Sequence, residues 1–154
     1  MITLQKADES DCPLIHRLQV RCFISMLEKY RDYSSNPAAE SLDQVIQRFR
    51  QHFSAYYLIC LDKHPIGFVR VCQFNSTCWI SPVCILPEYQ RKGYGLRVIE
   101  CLEKRYPDTT RWALDTIQQE EQLCRFYEKA GFRPTGETKH IMDGLDLIYY
   151  EKGV

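Results

Sequence analysis

Pro87-Glu88-Tyr89-Gln90-Arg91-Lys92-Gly93-Tyr94-Gly95 joins an apolar run to an amphipathic one. Before it, Thr77–Leu86 reads as a strand. After it, Leu96, Ile99, Leu102 and Tyr106 recur at helical spacing, with Val98 flanking. Two of the chain's 7 glycines stand here, at Gly93 and Gly95. Glycine lets the backbone approach a ligand closely, and a helix start offers free N–H groups at the positive end of its dipole. Arg91, Lys92 and Arg97 give the stretch positive charge, with no acidic side chain between Gln90 and Arg97. The segment therefore reads either as an anion site suited to phosphate or pyrophosphate, or as a tight turn with surface charge. It is not a Walker loop, because GxxxxGK[ST] is absent. It is not a dinucleotide fingerprint, because Val98 stands where the third glycine belongs.

Upstream, Tyr56–Leu61, Ile66–Phe74 and Thr77–Leu86 read as an antiparallel meander with turns at 62–65 and 75–76. Pro82 lies inside the last of these strands. Proline removes a ladder donor, so a bulge or an edge is expected there. Residues 2–7 alternate as a strand. Ser10 then caps a helix that carries Leu14, Leu18, Cys22 and Met26 and ends near Tyr30. Asn36-Pro37 opens a second helix through Leu42, Val45, Ile46, Phe49 and Phe53. Downstream come a strand at Arg111–Ile117, a helix at Gln119–Ala130 closed by Gly131, and strands at Phe132–Glu137 and Leu145–Glu151. This order predicts a mixed α/β (α+β) architecture of seven strands and four helices, in one domain over residues 1–154.

Composition narrows the function classes. The 154 residues are 45% apolar and 26% charged, which is globular rather than disordered composition. Twenty basic residues balance 20 acidic ones, so a basic field over the whole surface is excluded and no nucleic-acid partner is expected, although a local patch remains. No apolar run approaches the ~20 residues of a membrane span, and Met1–Ser10 has no basic start followed by an apolar core. No membrane association is expected, and the expected location is cytoplasmic. The 8 cysteines form no CxxC pair and do not cluster with the 4 histidines, so no metal site is expected and the thiols read as reduced, small core residues.

Gln90-Arg91-Lys92-Gly93-Tyr94-Gly95 matches the Q/R-x-x-G-x-G/A loop of the GCN5-related N-acetyltransferases, the GNAT superfamily. Ile85-Leu86-Pro87-Glu88-Tyr89 is similar to the stretch that leads into that loop. Leu123–Phe132, read as L-C-R-F-Y-E-K-A-G-F, resembles the family's second signature, and the two motifs come in the family's order. The resemblance implies the GNAT fold, with a central, mostly antiparallel twisted sheet flanked by helices. It implies acetyl-CoA as co-substrate and transfer of its acetyl group to a primary amine, on a small molecule or a protein, by direct attack.

It also implies residue roles. The backbone of Cys84, Ile85 and Leu86 holds the pantetheine and acetyl groups, with an N–H of Ile85 or Leu86 polarising the thioester carbonyl. The loop residues Gln90, Arg91, Lys92, Gly93, Tyr94, Gly95 and Leu96 hold the pyrophosphate. Tyr127 is the general acid to the departing thiolate. Where the second motif often carries an asparagine, Glu120 stands, so that contact does not carry over. Asp115 or Glu120 is the candidate base, and Tyr30 and Asp32 are candidate acceptor-pocket residues. Monomer and homodimer are both open. Two other readings stay beside this one: a non-catalytic GNAT-fold module that binds or senses acyl-CoA, and a phosphate-binding protein unrelated to CoA.

Overall fold

The computed structural model describes residues 1–154. A 7-stranded sheet runs through it in the order β1-β2-β3-β4-β5-β7-β6. The strands are β1 (Ile2–Lys6), β2 (Ser54–Leu61), β3 (His64–Phe74), β4 (Thr77–Ile85), β5 (Arg111–Ile117), β6 (Arg133–Met142) and β7 (Leu145–Gly153). The helices are α1 (Cys12–Tyr30), α2 (Leu42–Phe49), α3 (Tyr94–Arg105) and α4 (Glu121–Lys129). Every neighbouring pair is antiparallel except β4 and β5.

Strand alternation divides the sheet into two apolar faces. Tyr56, Leu58, Cys60, Phe68 and Cys84 face one way and pack with Cys12, Ile15 and Leu18 of α1 and Val45 of α2. Tyr57, Ile59, Val69, Val71, Ile80, Trp112 and Leu114 face the other way and pack with Val98, Ile99 and Leu102 of α3 and Tyr127 of α4. All eight cysteines are free thiols. No helix is long and apolar enough to cross a membrane.

Among the boundaries that differ from the sequence expectation, such as the end of the second helix at Phe49 rather than Phe53, three have a clear local cause. The first helical segment is capped by Asp8, whose side chain accepts from Ser10 N at 2.9 Å and forms a capping box with Asp11, so Ser10 is not the cap. Asn36 caps only a short 3₁₀ turn at Pro37–Ala39, and α2 starts at Leu42 because Ser41 and Gln44 form the box that continues as α-helix. Finally, β6 extends to Met142, paired through Thr138↔Ile148 and Lys139↔Leu147. It is a solvated edge strand with few apolar side chains, so no alternation marks its length.

The feature that shapes the site is the junction of β4 and β5. They pair at Thr77↔Arg111, Cys78↔Trp112 and Trp79↔Ala113 and nowhere further. On its other edge β4 stays with β3 as far as Gly67↔Ile85, through a register shift between Val69 and Val71 opposite Ile80–Val83. The irregularity expected at Pro82 is therefore present. Beyond Trp79 the two strands no longer pair, and β4 presents an unpaired edge to the cleft between them.

Candidate active site

The loop at the end of β4 is built to leave donors open. Gln90 Nε2 donates to the Ile85 carbonyl at 2.8 Å and folds the loop back onto the strand end. Arg91 (φ 62°) and Gly93 (φ 82°) then adopt left-handed conformations. Gly93 is the N-cap of α3 and offers no side chain, and the first helical bond is Arg97 N–H to the Gly93 carbonyl. The six consecutive N–H groups from Arg91 to Leu96 find no acceptor within the protein. Successive unpaired amides with alternating handedness at a helix start form a concave nest for an anion. The second glycine has a different reason: a Cβ on Gly95 would lie 2.8 Å from the Phe126 ring, so glycine is what lets α3 pack against α4.

The loop is tied at both flanks. Arg21 Nη2 meets Glu88 Oε1 at 2.7 Å, linking it to α1, and Arg91 Nη2 donates to Gln122 Oε1 at 2.9 Å, linking it to α4. The side chain of Lys92 is exposed and that of Tyr94 packs against the core. A ligand with a diphosphate and a long neutral arm fits this set of residues: the nest offers donors to an anion, and the open edge of β4 continues from it.

Ladder geometry decides which amides face the cleft. Leu86 N–H donates to the Ile66 carbonyl at 2.8 Å, so it is directed at β3 and is not free to polarise a carbonyl in the cleft. Donors alternate along an antiparallel strand, so the Ile85 N–H points the opposite way, toward β5. Of the two amides considered from the sequence, only that of Ile85 faces the cleft. The Cys84 side chain lies in the α1/α2 core, where burial and then the neighbouring Cys22 thiol push its pKa well above the usual range. By the same alternation the Cys84 N–H and carbonyl are directed at β3, opposite Phe68, so neither its side chain nor its backbone polar groups face the cleft, contrary to the expectation from the sequence.

Tyr127 comes from α4. Its ring is enclosed by Phe126, Phe132 and Tyr150, at centroid distances of 5.0, 6.0 and 6.4 Å. Its hydroxyl has no hydrogen-bond partner, yet no fully enclosed side-chain polar atom lacks one, so the hydroxyl of this buried residue keeps a small solvent contact. Burial, and then the Asp115 carboxylate, push the phenol far above its ordinary range and keep it protonated. Asp115 lies on β5 two residues beyond Ala113, the last residue paired with β4. It is solvent-accessible but ringed by protein. That partial loss of water raises its carboxyl pKa, with Lys139 opposing.

The remaining candidates are engaged with one another. Glu120, at the N-cap of α4, accepts from Lys29 Nζ at 2.7 Å and from the Tyr30 hydroxyl. Burial works to raise the Glu120 carboxyl, but the Lys29 and Tyr30 hydrogen bonds and the lysine charge outweigh it and hold the pKa low. Glu120 and Tyr30 thus fasten the end of α1 to the start of α4. Asp32 is buried and accepts from the Ser34 hydroxyl, the Ser35 amide and the Ser35 hydroxyl. Its carboxylate is turned into its own loop. Sequence reasoning misses Gly67 of β3, where a Cβ would collide with the Cys84 carbonyl oxygen of β4. A lone glycine inside a strand is the signal that could have found it.

The family model described as Acetyltransferase (GNAT) family matches residues 14–132. A Bacillus subtilis (strain 168) protein that carries the name acetyltransferase is 28% identical over 102 residues. That match covers 66% of this chain and spans 65% of the relative's own length. Among solved structures, an acetyltransferase from Thermus thermophilus superposes with TM-score 0.77 at 17% identity, covering 100% of this chain and 97% of that one. The PaiA N-acetyltransferase of Thermoplasma acidophilum, solved with coenzyme A, gives TM-score 0.74 at 17% identity, covering 100% and 99%. The ribosomal-protein-S18-alanine N-acetyltransferase of Escherichia coli gives 0.75 at 17% identity, covering 100% and 94%. At these identities the structural likenesses show the fold.

Proposed function

The chain belongs to the acetyltransferase (GNAT) family, and on that footing we propose that it transfers the acetyl group of acetyl-CoA to a primary amine. The observation that carries this reading is the row of unpaired amides from Arg91 to Leu96, continuous with the unpaired edge of β4. The amides suit a pyrophosphate, with Arg91 and Lys92 adding charge. The open edge suits a pantetheine arm, whose amides hydrogen-bond like another strand. The Thermoplasma neighbour's coenzyme A complex supports the same ligand.

In the proposed mechanism, a neutral amine attacks the thioester carbonyl and forms the C–N bond. The Ile85 N–H, directed into the cleft, polarises that carbonyl and holds the tetrahedral oxyanion. The C–S bond then breaks, and Tyr127 supplies a proton to the thiolate. Asp115, with its raised pKa, accepts the proton lost from the ammonium, directly or through water. Glu120 is a weaker candidate for that task, because the partners that hold its pKa low also occupy its oxygens.

Two measurements test this. A thiol-release assay with acetyl-CoA across polyamines, aminoglycosides, amino acids and peptides is expected to find turnover with at least one amine. Acetyl-CoA binding without release across the whole panel favours the acyl-CoA sensor reading instead. Asp115→Asn is expected to lower kcat/KM about 10²-fold. A base must be ionised, so native activity falls as pH drops through the raised Asp115 pKa, and this acid limb vanishes in the variant. An unchanged pH profile removes Asp115 from the mechanism.

A further inference from the structure

Arg70 stands in the middle of β3, on the α1/α2 side of the sheet, and is only 6% exposed. Its neighbours on that face, Phe68 and Cys72, are apolar and buried. Nε donates to Ser54 Oγ at 2.9 Å, Nη1 to the Ser81 carbonyl at 3.2 Å and Nη2 to Gln51 Oε1 at 2.6 Å. All three acceptors are uncharged, and Arg70 takes part in none of the ion pairs of the molecule. A buried cation without a carboxylate is costly, and here only three neutral acceptors and the face of Tyr56, 5.9 Å from Cζ, offset that cost. The guanidinium therefore needs a reason beyond the core.

Its location supplies one. Arg70 is the residue at which the β3–β4 register shifts, and Ser81 lies two residues after Trp79, where β4 parts from β5. Pro82, the next residue, has no N–H to give to the ladder. The planar fork of Arg70 spans the turn after α2 (Gln51), the start of β2 (Ser54) and the kink in β4 (Ser81).

We propose that Arg70 is a positioning residue for acetyl transfer: by holding the Ser81 carbonyl it fixes the kink that swings Val83–Ile85 away from β5 and opens the cleft. The proposal rests on the acetyltransferase reading above. Arg70 acts on the acyl end of the cleft and not on the pyrophosphate nest, which lies beyond the far end of β4.

The test compares Arg70→Met, Arg70→Lys and Gln51→Ala with the native chain. Gln51 is exposed, so its variant keeps the fold even if Arg70→Met does not. Three quantities are read: kcat, the dissociation constant for CoA, and amide hydrogen exchange along β4. Arg70→Met is expected to lower kcat about 10²-fold, as misplacement of a reacting group does. CoA affinity stays within about threefold, and exchange quickens at Ser81–Ile85 while the Arg91–Leu96 loop is unchanged. Arg70→Lys regains part of kcat, and Gln51→Ala shows the same pattern more weakly. Unchanged exchange in β4, unchanged kcat with quickened exchange, or CoA affinity falling in step with kcat each overturn the proposal. If the native protein turns over no amine, the acetyltransferase reading fails, and the exchange measurement still decides whether Arg70 holds the kink.

Discussion

Tyr127→Phe is expected to fold normally, bind CoA as the native chain does and lose about 10²-fold or more in kcat. The hydroxyl makes no hydrogen bond within the protein, so its removal breaks none. A tyrosine whose hydroxyl is paired typically loses about 1 kcal/mol on this change, and Tyr127 is expected to lose less. The ring stays enclosed by Phe126, Phe132 and Tyr150, which phenylalanine preserves. What disappears is a proton donor held far above its ordinary pKa by burial and then by Asp115. The sign is that of an acid with a raised pKa: the donor is present at neutral pH and is lost only as pH climbs through that value. In the proposed mechanism the group acts on the departing sulfur, so its loss is expected to lower kcat and kcat/KM together and leave ground-state binding alone. Stopped-flow or steady-state thiol release checks the rate, and calorimetry with CoA checks the binding. A kcat within twofold of the native value removes Tyr127 from the chemistry without touching the fold.

The parts of this site legible in the sequence are those whose physics is local. Gly93, Arg91 and Lys92 announce a nest because glycine, charge and a helix start fall within a few residues. Pro82 announces a broken ladder because proline has no N–H. Tyr127 comes through a motif, since nothing local separates a helix tyrosine that only packs from one whose hydroxyl is left unpaired. What stays hidden depends on elements far apart in the chain. In the sequence Glu120 is free to act as a base, but Lys29 and Tyr30 reach it from α1. Leu86 is as able as Ile85 to face the thioester until its bond to the Ile66 carbonyl fixes the alternation. Arg70 sits unmarked in an apolar run, and only its three partners reveal that it joins the end of α2 to β2 and β4.

Gly67→Ala is expected to be the most damaging single methyl in the protein. Gly67 has no left-handed backbone, so conformational freedom does not explain it. Space does: a Cβ there would lie 2.0 Å from the Cys84 carbonyl oxygen and 3.0 Å from the Ile85 Cα. Both are backbone atoms of β4, which cannot turn aside as a side-chain end would. To restore ordinary contact the strands must part by about 1 Å or more. The bond from Leu86 N–H to the Ile66 carbonyl, at 2.8 Å, lies next to the clash and lengthens first. Overpacking of this kind costs about 1–3 kcal/mol, which for a chain of this size lowers Tm by roughly 2–12 °C. The displacement also falls on the strand that carries the Ile85 amide into the cleft. The variant should therefore lose acetyl-CoA affinity and turnover together, unlike Tyr127→Phe, which separates them. Thermal unfolding and CoA calorimetry on one preparation decide the matter. Native Tm with native affinity would mean that β3 and β4 part at no cost, and that the close approach at Gly67 does not shape the cleft.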